Sequence, residues 1–240
     1  MHTDSIVVIE LTTLVAIAFV AIHYWSHPLH KWLYSSEKIA ISFGGGMAIT
    51  YVFLHLLPEL EKGDVFLGQF SIHLVTLIGF LLFYSAQHWI WSQTRDDSQK
   101  HHTRAFWLQM IFVSAYNFLL IYSIPEQFEQ SIPFAFIYIL AMSLHLLSTD
   151  YHLSERYHQL FKHQGRFVLM AAITCGLVTD LWAEAANRMF SNTLTALLAG
   201  FLMFNIFKEE IPDHKDTRFF WFVCGVAVYI LLLGSSWLLE

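Results

Sequence analysis

Several apolar stretches of this sequence are interrupted by side chains that have the types and spacing of metal ligands. Asp180 and Glu184 are four residues apart and share one face of a helix, which Asn187 continues. Carboxylate and amide oxygens are hard ligands for a divalent cation, and a cation would relieve the repulsion between the two carboxylates. In the alternative interpretation, Glu184 and Asn187 lie at the membrane surface and Asp180 pairs with a neighbouring helix.

His145 and Thr149 also share a helical face, and His152 extends that face if the helix continues. Asn117 lies inside another apolar stretch, where an unpaired amide is costly, so it either bonds to another helix or lines a path. These residues predict a cation site within a helical bundle. The expected metal ligands are Asn117, His145, Thr149, Asp150, Asp180 and Glu184.

Other polar residues are weaker candidates. A neutral histidine binds metals and methionine sulfur is a soft ligand, but an interfacial histidine or a solvated carboxylate is the competing interpretation for each. The secondary ligand candidates are Met47, His55, Glu59, Asn205 and Glu209. Histidines outside the apolar stretches are candidates for transient metal capture, and these are His101, His102, His152 and His158.

The elements that position these residues follow from composition. The chain has 240 residues, of which 56% are hydrophobic and 13% are charged, and apolar runs of roughly 20 residues recur along it. We therefore expect an all-α polytopic membrane protein in which residues 1–240 form a single transmembrane domain. Eight transmembrane helices are predicted at about 5–25, 38–58, 66–91, 105–123, 132–151, 167–187, 191–209 and 219–239. The connections are too short for a soluble catalytic or nucleic-acid-binding domain.

Lysine and arginine predict the orientation, because cytoplasmic loops retain these residues. Of the 13 Lys and Arg residues, all except Lys62 and Arg188 fall in the loops after the first, third, fifth and seventh helices. Both termini are therefore expected outside, in a multi-pass protein of the bacterial inner membrane.

The second and seventh segments have similar sequences. Gly46 and Pro58 are twelve residues apart, and so are Gly200 and Pro212, with a carboxylate after each proline. The two segments run in opposite directions by the charge argument, which predicts an inverted repeat of the kind found in transporters.

The chain resembles the ZIP (Zrt/Irt-like) divalent metal transporters. "FLHLLPELE" at 53–61 is similar to the end of helix 2 in that family, and "AGFLMFNIFKEEIP" at 199–212 is similar to its helix 7. "YNFLLIY" at 116–122 is similar to the helix 4 motif HNxxDG with Asn117 retained. The resemblance implies a 3+2+3 bundle with helices 1–3 and 6–8 as inverted repeats, and a metal site mainly on helices 4 and 5.

Helix 5 departs from the family signature HExPHExxD, and two placements compete. His145 stands at the first histidine, or Thr149 and Asp150 replace the leading His-Glu pair. In the second placement Asp150 inherits a bridging-carboxylate position. Under either placement, the resemblance implies that Asp180 or Glu184 corresponds to an acidic residue of helix 6 that some members place beside the metal.

The resemblance implies transport of a divalent metal cation of the zinc, iron or manganese class, without enzymatic activity or an organic cofactor. The expected partners are the lipid bilayer, the transported metal ion and a second copy in a homodimer, but no nucleic acid. Two other functions remain open: a ZIP-fold scaffold or sensor without transport, and a haem- or metal-dependent membrane enzyme.

Overall fold

The fold is entirely helical in the computed structural model, which describes residues 2–33, 37–62, 69–93, 99–182, 188–210 and 218–239. No strand occurs in these ranges, so the predicted all-α class is confirmed. Four helical stretches are long and apolar enough to cross a membrane, as expected of an integral membrane protein. These stretches are Ile6–Ser26, Ile72–Trp89, His102–Phe128 and His158–Trp182.

The helices are numbered in chain order, with three short π-helical turns named separately. They are α1 His2–Leu33, α2 Glu37–Tyr51, π1 Val52–Leu56, α3 Leu57–Lys62, α4 Gln69–Gln93, α5 Gln99–Tyr122, α6 Ile124–Gln130, α7 Ile132–Arg156, α8 His158–Leu160, π2 Phe161–Gly165, α9 Arg166–Trp182, α10 Arg188–Asn205, π3 Ile206–Glu210 and α11 Phe219–Leu239. α1 is kinked at Trp25, where the backbone leaves helical values three residues before Pro28. Proline causes such kinks because its ring collides with the preceding turn.

α7 is longer than the sequence predicts. It continues to Arg156 and ends at Tyr157, whose backbone is not helical. His152 therefore does extend the face of His145 and Thr149, as proposed from their spacing. The prediction that His101, His102, His152 and His158 lie in loops is wrong, because these residues lie in α5, α7 and α8.

The helices pack in matched pairs. α2 packs along α11, and α10 packs along α4. α5 packs against α9, while α1 contacts both α9 and α7. Most buried apolar side chains form one core between these helices. A smaller second core forms where the start of α5, the end of α7 and π2 meet, and it consists of Phe106, Met110, Val113, Leu153, Tyr157, Phe161 and Leu169.

Glycine permits close approach of the helices at two crossings. A Cβ on Gly46 would collide with the carbonyl oxygen of Phe222 in α11, and one on Gly225 of α11 would collide with that of Phe43. At the other crossing, a Cβ on Gly200 would collide with the carbonyl oxygen of Thr76 in α4. The backbones therefore touch directly, as small residues allow in membrane helices.

Two of the π turns occupy the same place in the two similar segments. π1 begins six residues after Gly46, and π3 begins six residues after Gly200. Each turn ends two residues before a proline in the sequence, Pro58 or Pro212. A proline collides with the carbonyl of the residue four positions earlier, which here lies inside the π turn. The wider turn gives that carbonyl room.

Gly46→Ala tests the crossing of α2 and α11. The added methyl group must push the two backbones apart, so we expect the variant to lose about 1–3 kcal/mol of unfolding free energy. Unfolding in detergent micelles, followed by circular dichroism, measures the loss. Gly44→Ala is the matched control in the same helix, because nothing lies within 4 Å of its added Cβ. Equal losses in the two variants would contradict the contact.

Candidate functional site

Three fully buried polar side chains form a hydrogen-bonded chain across α1, α5 and α7. Nδ1 of His23 lies 2.9 Å from each carboxylate oxygen of Asp150, and Nε2 of the same ring lies 3.4 Å from Oδ1 of Asn117. All three residues have 0% exposed surface. Two of the predicted metal ligands, Asn117 and Asp150, are thus brought together, and His23 joins them.

The hydrogen bonds set the orientation of the Asn117 amide. Nδ2 of Asn117 donates to the carbonyl of Val113 at 3.0 Å, which leaves its Oδ1 as an acceptor toward His23. Both ring nitrogens of His23 therefore face oxygen atoms, with Nε2 opposite the amide oxygen and Nδ1 opposite the carboxyl group of Asp150.

The buried pair is an electrostatic constraint on the bundle. A charged carboxylate is expensive in an apolar interior, and its attraction to a partner offsets that cost only when the geometry is good. Asp150 meets this condition because both of its oxygens lie at hydrogen-bond distance from one nitrogen. Removal of either partner would leave a buried polar group without its hydrogen bonds.

A small cavity lies between α2, α5, α7 and α10. The cavity has a volume of about 20 Å³, enough for roughly one water molecule. Its polar lining consists of Tyr51, His55, Tyr116, Ser123, Gln127, Tyr138 and Thr195. Oε1 of Gln127 is buried and has no hydrogen-bond partner among the described residues. This oxygen could therefore accept a hydrogen bond from a small polar molecule in the cavity.

From this cavity, polar side chains of α5 and α7 face one another toward the middle of the bundle. The hydroxyls of Ser123 and Tyr138 are 3.5 Å apart at the cavity. Seven residues along each helix, the rings of Tyr116 and His145 meet edge to face, with centroids 5.3 Å apart. The Tyr116 hydroxyl also lies 3.4 Å from the sulfur of Met142. The two helices thus present matched polar faces.

The remaining primary candidates are spread over the bundle. Thr149 lies on α7, and its hydroxyl oxygen is buried. Asp180 lies near the end of α9 and is partly exposed. Glu184, together with Asn187, lies outside the described residues.

Two of the secondary candidates, Met47 and His55, are buried. The His55 ring lies 4.9 Å from the Tyr51 ring and 6.0 Å from the Tyr138 ring.

Other candidates can be placed only by element. Those whose side chains lie outside the description are Glu59 in α3, His101 in α5, Asn205 in α10 and Glu209 in π3. His102 and His158 are exposed at the end of the bundle that holds the second core, and the His102 ring lies 4.8 Å from that of Tyr157.

Sequence reasoning missed His23. It lies within the first apolar stretch, and its importance comes from a residue 127 positions away. The available signal was electrostatic: a carboxylate predicted at membrane depth needs a donor, and His23 is a polar residue inside a predicted transmembrane helix.

Within the described ranges, no three side chains of the His, Cys, Asp and Glu types are grouped so that they could hold a metal ion. In comparisons with known proteins, no protein-family model and no curated protein matches this sequence.

A double-mutant cycle tests the buried pair. His23→Leu and Asp150→Leu should each lose about 3–5 kcal/mol of unfolding free energy, because each leaves the partner buried alone. The double variant should lose clearly less than the sum of the two, since no unpaired group remains. His73→Leu, at an exposed position of α4, is the control and should change stability by less than about 0.5 kcal/mol. Strict additivity would show that the pair is not coupled.

Proposed function

We propose that this chain is a membrane transporter that carries a divalent metal cation of the zinc, iron or manganese class through its helical bundle. The observation that carries the proposal is the matched polar faces of α5 and α7, which begin at the cavity and continue through Tyr116 and His145. Polar groups at membrane depth are costly and mark substrate paths. Imidazole nitrogen and hydroxyl oxygen are ligands that these metals accept.

Asp150 supplies the carboxylate oxygens that a divalent cation accepts as ligands. It lies five residues from His145 on the same helix, and without metal both of its oxygens face Nδ1 of His23. A divalent cation that reaches the carboxylate would displace this contact, and the imidazole of His23 in its neutral form is itself a metal ligand. Asn117 adds an amide oxygen, so the site would combine donors from three helices.

The proposed architecture has eight spans in a 3+2+3 arrangement, with α1 to α4 and α9 to α11 as inverted repeats. It is supported by the packing pairs, because exchange of the two halves turns the α2 and α11 pair into the α10 and α4 pair. The same exchange turns the α1 and α7 pair into the α9 and α5 pair. The π turns at equal distances from Gly46 and Gly200 also support it. Transporters with such repeats place their substrate site between the halves.

The distribution of lysine and arginine supports an orientation with both termini outside, in a bacterial cell membrane. In that orientation the cavity lies in the outer half of the bundle. The cation would enter there near Glu126, shed water against the polar faces of α5 and α7, and leave toward the basic end of the bundle. Rocking of one half against the other would open the two sides in turn.

Uptake by vesicles tests the proposal. Purified protein in liposomes should accumulate at least one of zinc, iron, manganese and cadmium above the level of empty liposomes. His145→Ala removes the imidazole that faces Tyr116, and we expect its initial uptake rate to fall at least about tenfold.

The control for this experiment is His163→Ala, which removes an exposed histidine of π2 and should keep its rate within about twofold. If wild-type vesicles take up none of the four ions and no metal co-purifies with the protein, the proposal fails.

A scaffold or sensor without transport is the second candidate, and one observation favours it. Both oxygens of Asp150 are already occupied by His23, so the carboxylate is matched without any ion. A buried pair of this kind can fix the packing of α1 and α7 without having any further role. Asp180→Asn combined with Glu184→Gln would leave the cellular phenotype unchanged under this reading, whereas a transporter that uses these carboxylates would lose function.

A further inference from the structure

The register of α5 and α7 predicts a third pair of facing residues, beyond the Ser123–Tyr138 and Tyr116–His145 pairs that touch. Ser123, the residue after the end of α5, is seven residues from Tyr116, and Tyr138 and His145 are seven residues apart on α7. Seven residues are close to two helical turns, so side chains at this spacing lie on one face. Because the helices are antiparallel, the next step brings Gln109 of α5 level with His152 of α7.

Ring contacts at that end of the bundle support this register. The Tyr157 ring beyond the end of α7 lies 5.2 Å from the Phe106 ring and 4.8 Å from the His102 ring, both in α5. Leu153 of α7 belongs to the same buried cluster as Phe106 and Met110. Side chains of the two helices therefore meet at the end of the bundle that holds Gln109 and His152.

At this level three buried polar atoms lack hydrogen-bond partners among the described residues. They are Oε1 of Gln109, Oγ1 of Thr149 and Nε2 of His152. Thr149 and His152 are three residues apart on α7 and so lie on the same side of the helix. Buried polar atoms are nearly always satisfied in folded proteins, because each unmet hydrogen bond is costly. A group of three at one level points to a missing partner.

We propose that Gln109, Thr149 and His152 form a binding subsite for a divalent transition-metal cation. Their amide oxygen, hydroxyl oxygen and imidazole nitrogen are a nitrogen and oxygen donor set that such ions accept. The proposal rests on the proposed transport function and adds a second position for the same cargo, on the opposite side of Tyr116 and His145 from the cavity.

The absence of a carboxylate from the subsite suits a transient binding site along a transport pathway. None of its three donors carries a negative charge, and the nearest carboxylate in sequence, Asp150, faces His23 instead. A neutral donor set binds a divalent ion more weakly than carboxylates do. Conduction needs sites that are favourable enough to enter and weak enough to leave. Asp150 and the subsite, both on α7, would therefore bind a divalent cation with different affinities.

Cobalt binding to the purified full-length protein tests the subsite. Co²⁺ bound to an imidazole nitrogen gives visible absorption bands, so titration in detergent reports binding without any transport. His152→Gln should lose one class of bound Co²⁺ or weaken it at least tenfold. Gln109→Leu retains the imidazole and should weaken the same class. His88→Gln, which changes an exposed histidine of α4 that belongs to none of the predicted metal sites, is the matched control and should bind as the wild type does.

The outcomes separate this inference from the transport proposal. Unchanged Co²⁺ binding in both His152→Gln and Gln109→Leu would overturn the subsite and leave ordered water as the partner of the three atoms, even if vesicles take up metal. Binding that depends on His152 and Gln109, in a protein that gives no uptake, would support the subsite and reject transport. The unfolding midpoint of each variant without metal shows whether it is folded.

Discussion

A carboxylate with no exposed surface must be matched inside the bundle, and the match of Asp150 with His23 sets the positions of the helices around it. The pair connects α1 to α7, and Asn117 extends the connection to α5. These bonds are directional, so they fix the rotation of each helix about its own axis as well as its distance from the others. With α7 held in that rotation, His145 faces Tyr116 and Tyr138 faces the cavity.

Much of the helical framework could be predicted from the sequence, because apolar length and hydrogen bonding leave few options in a bilayer. The sequence predicts that Asn117 either bonds to another helix or lines a path, and in the structure it faces His23 of α1. His23 itself was not predicted, because the partner of a buried charge depends on tertiary packing between residues 127 positions apart. Similarly, the facing of Ser123 and Tyr138 depends on the register of two helices, which hydrophobic pattern does not specify.

The π turns show a different limit of sequence reasoning. A proline within an apolar helix predicts a kink, and both Pro58 and Pro212 were recognised as partners in a repeat. The sequence does not indicate that the disturbance takes the form of an extra residue in the preceding turn. That choice depends on whether neighbouring helices accept a wider turn, since π turns occur where packing or function stabilises them.

One consequence of π1 concerns how substitutions along this segment would be tolerated. A π turn adds one residue to the helix, which rotates everything beyond it by about 100° relative to an unbroken α-helix. Positions that line up with Gly46 before Val52 therefore fall out of phase with those in α3. A scan of substitutions through 37–62 would show the helical period on both sides of the turn, with a jump in phase between them. A single helical wheel drawn through the segment would average two different interfaces.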